Sequence, residues 1–256
     1  MLKEIVLAIT SFGSAHAFIS KHKLWKWVFI TGILYTLFLL ICFYFFGKTA
    51  SYLLDEQLLE QSGLRSWISR INSGLLSFLL SFTLLVIWLI FALCYLSLAK
   101  YLWLFLAAPL LLHVSQIIAQ RMGRVIAPVN NAFYRSWISA LAMALRNLLW
   151  QSVYLLALCL LALVPLAGWV VPFFALLIEC YFWGFSMIDY AFRARVLDYK
   201  DAISFSGGNK GYAMGNGIIF YGLHLIPIAG WVVAPFYAQV ATAILCEQVI
   251  VSPEKN

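Results

Sequence analysis

Charge is what this sequence has least of: only 11% of its 256 residues are Asp, Glu, Lys or Arg, against 64% hydrophobic and 17% aromatic. So little polar surface cannot cover the core of a water-soluble domain, and that class is excluded. Strict apolar/polar alternation is lacking too. That excludes a transmembrane barrel, and because an open sheet edge is untenable in lipid, the backbone must satisfy itself within helices. Cys42, Cys94, Cys159, Cys180 and Cys246 stand singly, with no CxxC or CxxH spacing, so no metal or other cofactor is expected. No G-x-S-x-G, H-E-x-x-H or carboxylate cluster appears, and an enzyme is not expected. Acidic residues are scarce, 10 against 17 basic, for a formal charge of +7. The basic residues flank hydrophobic runs, where they snorkel and fix topology, so no nucleic-acid partner is expected.

What is present is long apolar runs. Trp27 to Gly47, Ile71 to Ala99, Asn147 to Ile178 and Gly211 to Cys246 carry no Asp, Glu, Lys or Arg. Each equals or exceeds the roughly 20 residues that cross a bilayer core. The expected fold is an all-α integral membrane protein forming one membrane domain over residues 1–256. Within residues 1–22, Ile5, Ile9, Phe12 and Ile19 recur at helical spacing opposite Lys3, Ser11, Ser14 and His16, which predicts an amphipathic helix in the membrane interface. Ala15-His16-Ala17 resembles a signal-peptidase site, but Ile5 to Ile9 is too short for its apolar region, and no cleavage is expected. Residues 24–46 and 74–99 read as transmembrane helices. The polar loop Thr49 to Asn72 separates them, and Lys100 and Pro109 mark an angled extension of the second. Gln116 to Arg146 carries Arg121, Arg124, Arg135 and Arg146 with no acidic residue, a cytoplasmic character.

Pro165-Leu166-Ala167-Gly168-Trp169 recurs 62 residues later as Pro227-Ile228-Ala229-Gly230-Trp231. Proline lacks a donor and glycine allows a left-handed turn, so each copy is expected to be a hairpin tip. The hairpins would occupy residues 144–191 and 212–251. The short entry arm of the second, residues 212–226, rises only about 22 Å against a hydrocarbon core of about 30 Å, so at least one hairpin is expected to dip in and return. Short segments at matching positions of two repeats point to a transport path. Thirteen Lys and Arg lie at the ends taken as inside and three in the Lys48 to Arg70 loop, which predicts cytoplasmic termini in the cell inner membrane.

Glu179 lies deep in an apolar arm, where a carboxylate implies either a pathway or gating role or a partner buried between helices. His224 reads first as a packing residue. A transport path should bring Glu179, His224, Asn216 and Gln239 to one cavity, whereas a scaffold should leave them separately paired. Ser206-Gly207-Gly208-Asn209-Lys210-Gly211 lacks phosphate-loop spacing and is expected to be a loop and helix start. Gly211 and Gly215 form a G-x-x-x-G expected to pack helices closely.

The basic entry Lys23-Leu24-Trp25-Lys26, then Ala108-Pro109-Leu110-Leu111, Ile188-Asp189-Tyr190-Ala191-Phe192-Arg193 and the Pro-x-x-Gly-Trp tip near the end, in that order, resemble the CysZ-type sulfate permeases and the wider etoposide-induced-protein family. The resemblance implies two long transmembrane helices plus two hemi-penetrating hairpins, assembled as a homo-oligomer that admits sulfate. It also implies Lys23 and Lys26 at an anion entrance, in place of the Gly-Leu-Arg of the permeases. Glu179, His224, Asn216, Asp189 and Arg193 would serve the pathway or its gating. Ala191 stands where those permeases usually carry Pro.

Overall fold

The computed structural model describes residues 1–52, 66, 74–123, 132–162, 169–194 and 199–251, and among these no strand occurs. The helices are α1 (Leu2–Lys21), α2 (Trp25–Ala50), α3 (Gly74–Leu106), α4 (Ala108–Arg121), α5 (Ala132–Ala162), α6 (Val171–Arg193), α7 (Tyr199–Gly208), α8 (Lys210–His224) and α9 (Ala229–Val251). Five of these contain stretches long and apolar enough to cross a membrane: α1, α2, residues 140–161 of α5, α6, and residues 229–249 of α9. The bent pair of α3, from Phe91, and α4 makes a sixth when counted as one span. On α5 the outward side chains are Leu145, Leu149, Val153, Leu156 and Leu160, an apolar face suited to lipid contact.

Helix α1 turns into α2 within three residues. Lys23 adopts a left-handed backbone at φ 55°, and the Leu24 N–H donates to the Ile19 carbonyl at 3.0 Å. The expected first transmembrane helix is thus present, extended to Ala50. The second runs unbroken to Leu106, past residue 99, and its part from Phe91 meets α4 at 66°. Pro109 sits in the first turn of α4, where a helix tolerates a missing donor, so the bend precedes it. Lys100 therefore lies inside a helix and not at its exit.

Helices α5 and α6 are the arms of the first expected hairpin, though α5 begins twelve residues before the expected 144. Pro165 and Gly168 lie outside the described residues; Trp169 is exposed, its ring 4.7 Å from that of Phe82. In the second pair, α8 and α9 are joined by a turn over residues 225–228 that holds Pro227, with Ile228 at φ 62°. Gly230 and Trp231 open α9. A Cβ on Gly230 would collide with the Leu223 carbonyl, and the Trp231 Nε1–H donates to the His224 carbonyl at 3.1 Å. Glycine thus permits the close return, and tryptophan satisfies a carbonyl that the helix end leaves open.

Small residues set the core. Helix α6 crosses α8 with Gly184 against the Ala213 carbonyl and Gly217 against the Cys180 carbonyl, while Gly32 of α2 meets the Val232 carbonyl of α9. Gly211 and Gly215 do pack closely, against Met1 and Glu4 and against Ile5 and Ala8 of α1 respectively. The Gly211 N–H donates to Glu4 Oε2 at 2.9 Å, so the carboxylate caps the start of α8.

Two expectations are corrected. The buried face of α1 is Ala8, Ser11, Phe12, Ala15 and Ile19, with Ile9 exposed, because small side chains permit approach to α8 and α9. Ser11 survives burial by donating to the Ala8 carbonyl at 2.6 Å. Ser206 to Gly208 do not form a loop: they end α7, and only Asn209 separates it from α8.

Candidate functional site

The polar residues inside the helical core fall into separate groups. The largest joins α3, α5, α6 and α8. Lys100 Nζ donates to Glu179 Oε2 at 2.6 Å and to Gln151 Oε1 at 2.7 Å, and it lies 4.7 Å from the centroid of the Tyr101 ring. Gln151 Nε2 donates to Ser97 Oγ at 2.7 Å and to Glu179 Oε1, while the Tyr101 hydroxyl donates to Gln151 Oε1 at 2.6 Å. The Tyr221 hydroxyl reaches Glu179 Oε2 at 3.2 Å. Both members of the ion pair are almost wholly buried, at 3% and 2% side-chain exposure. Burying two charges is tolerable only where geometry and further hydrogen bonds satisfy both, and this cluster meets that condition.

The other sequence candidates are paired elsewhere. His224 Nδ1 faces the Phe220 carbonyl at 2.8 Å, so that nitrogen carries the proton and Nε2 accepts from the Tyr35 hydroxyl at 2.9 Å. Asn216 Nδ2 donates to the Ala238 carbonyl at 3.0 Å and to Thr242 Oγ1 at 2.6 Å, tying α8 to α9. Gln239 Nε2 donates to the Leu111 carbonyl at 2.6 Å and to Ser115 Oγ at 2.9 Å, tying α9 to α4. Glu179, His224, Asn216 and Gln239 thus do not converge on one cavity among the described residues.

Asp189 and Arg193 do share a cavity. Arg193 Nε stands 2.5 Å from Asp189 Oδ2, one helical turn apart on α6. Arg146, projecting from α5, completes the charged lining of a cavity of about 430 Å3 that Met143, Phe185 and Ile203 also wall. Among the described lining residues two guanidinium groups face one carboxylate, an excess of one positive charge. Arg146 lies 5.6 Å from the Phe185 ring centroid and donates to Asn147 Oδ1 at 3.3 Å. Beside it a second cavity of about 220 Å3 shares Arg146, Phe185 and Ile203 and reaches Asn147 and Trp150. Planar guanidinium donors over a partly apolar wall can grip an oxyanion in two places.

Lys23 and Lys26 are exposed at the start of α2 and line neither cavity. In the sequence Arg146 reads only as a cytoplasmic charge and Lys100 only as the mark of an angled extension. The signal for Lys100 was present in its chemistry, one cation and one carboxylate each stranded in an apolar arm.

The family model described as Sulfate transporter CysZ/Etoposide-induced protein 2.4 matches residues 11–235. No curated protein matches the chain.

Proposed function

We propose, for a chain that belongs to the sulfate transporter CysZ/etoposide-induced protein 2.4 family, that it is a multi-pass permease for a small anion, sulfate first, and that the anion docks in the cavity between Arg146 and Arg193. The observation that carries the reading is that cavity: an excess of guanidinium charge among its described lining residues, with Arg146 midway along α5 and Arg193 at the end of α6. Its residues have the chemistry that an oxyanion requires; no acid, base or nucleophile is assigned a reaction. In this reading α1 lies in the interface, α8 with α9 forms a re-entrant hairpin, and the subunits assemble as a homo-oligomer with Lys23 and Lys26 gathering anions at the cytoplasmic surface.

Sulfate flux into liposomes holding the purified protein is the test. Removing a charge-assisted hydrogen bond costs about 1.5–3 kcal/mol, so Arg146→Gln is expected to weaken sulfate binding roughly 10- to 100-fold. Lys26→Ala is expected to lower flux mainly at low salt, because an exposed charge is screened over about 8 Å at physiological ionic strength. Flux no greater than through empty liposomes would end the permease reading.

A second reading, a non-transporting membrane scaffold, is favoured by one specific observation: Glu179, His224, Asn216 and Gln239 each hydrogen-bond in separate contacts, although the side-chain oxygens of Asn216 and Gln239 are left without a partner among the described residues. Silent liposomes together with a stable homo-oligomer would support it.

The proposed orientation makes its own prediction. With the natural cysteines replaced, Ser66→Cys is expected to react with an impermeant maleimide only from the outside, because the stretch from Lys48 to Arg70 carries three basic residues against 13 at the inside ends. Labelling from the cytoplasmic side alone would reverse the topology.

A further inference from the structure

Apart from the basic cavity, with which it shares no lining residue, α5, α6 and α8 border a space of about 380 Å3. Leu158, Phe174, Leu177, Ile178 and Met214 line it. Phe174, Leu177, Ile178 and Tyr181 recur three or four residues apart, so one stripe of α6 forms its floor. Tyr154 and Phe174 are each 48% exposed, which opens the space sideways on the apolar surface of the molecule. The cationic groups among the described lining residues are Lys210, exposed at the first position of α8, and the Met1 ammonium, which is paired with Glu4 at 3.1 Å. An apolar trough opening toward lipid, with an ammonium at one end and two tyrosine rings between, has the polarity of a phospholipid.

We propose that this trough is a binding site for an anionic phospholipid, whose acyl chain lies along α6 between Leu158 and Ile178 and whose phosphate is held by Lys210. A free inorganic anion would gain nothing from the apolar floor, and a zwitterionic lipid brings a cation of its own toward Lys210. The site stands whether or not the chain moves sulfate, since it uses neither Arg146 nor Arg193. The proposed topology enters only in assigning it to the cytoplasmic leaflet, where anionic lipids attract juxtamembrane lysines.

Native mass spectrometry of the full-length protein, released from detergent with phosphatidylglycerol or phosphatidylcholine of equal chain length, tests this directly. One lysine near an anionic headgroup implies roughly a 5-fold preference for phosphatidylglycerol in the wild type. Lys210→Gln is expected to remove that preference while leaving retention of phosphatidylcholine unchanged. Ile178→Trp or Leu158→Trp, which fill the trough from opposite walls, are expected to lower retention of both lipids by one molecule per chain. Leu156→Trp, on the exposed face of α5, is expected to change neither. Glycerol phosphate at matched concentration is expected not to compete; full displacement by it would mean a site for free phosphate esters and would overturn the lipid assignment. An unchanged lipid preference in Lys210→Gln, or unchanged retention in both filling variants, would overturn it equally.

Discussion

Lys100→Met is expected to destabilise the protein by about 3–5 kcal/mol, because it strands the Glu179 carboxylate in a buried site built to hold an ion pair. Glu179 would keep its bonds from Gln151 and Tyr221, but neither supplies compensating charge. Gln151 would lose a partner at Oε1 as well. Glu179→Leu is expected to cost a comparable amount by stranding the ammonium. The double variant Lys100→Met with Glu179→Leu is the informative one. A buried pair replaced as a unit by apolar residues is often neutral, so the double variant is expected to lie within about 1–2 kcal/mol of wild type. Unfolding in detergent, followed by denaturant or heat with the double-mutant cycle completed, measures this. Additive effects of the two single changes would show that the pair contributes no coupling, and the account of the cluster would fail.

This pair also shows what the sequence reveals and where it stops. The charge-free lengths, the bend near Pro109 and the turn at Pro227 follow from local chemistry: the count of residues that spans lipid, and the donor that proline lacks. A carboxylate stranded at Glu179 was equally legible as a demand for a partner. Which partner was not, because Lys100 lies 79 residues away and helical spacing gives no azimuth for one helix relative to another. The same limit explains Arg146. Its position at the end of an apolar run predicts snorkelling, and only the packing of α5 on α6 turns it toward Asp189 and Arg193. On α1 the error had another source. Apolar periodicity selects the most hydrophobic stripe, but in an apolar medium close approach selects small residues, so Ala8, Ser11 and Ala15 are inside and Ile9 is outside. Ser206, Gly207 and Gly208 read as a loop, yet they are only the end of α7. Glycine pairs are a poor guide to where a helix is absent and a better guide to where one stops.

The crossing of α6 and α8 carries the second large expected effect. Gly217→Ala places a methyl group where the Cys180 backbone carbonyl now stands, and Gly184→Ala does the same against the Ala213 carbonyl. A flexible side chain could swing away from such a methyl; a helix backbone cannot. Relief requires the two helices to separate, and separation disturbs the stacked rings of Trp183 and Phe220, now 3.7 Å apart between centroids, along with the Tyr221 bond to Glu179. Each substitution is therefore expected to cost about 3 kcal/mol, the upper end of ordinary overpacking. The direction opposes intrinsic helix propensity, which favours alanine over glycine by about 0.5–1 kcal/mol. Gly47 of α2 and Gly222 of α8 supply the contrast, since a Cβ at either meets nothing within 4 Å. Gly47→Ala and Gly222→Ala are accordingly expected to be neutral or slightly stabilising in the same unfolding assay. If all four substitutions behave alike, helix propensity governs and the close crossing is not a determinant of stability. If the α6–α8 pair alone is damaged, the interhelical distance is set by these two glycines, and with it the position of Tyr221 against the buried ion pair.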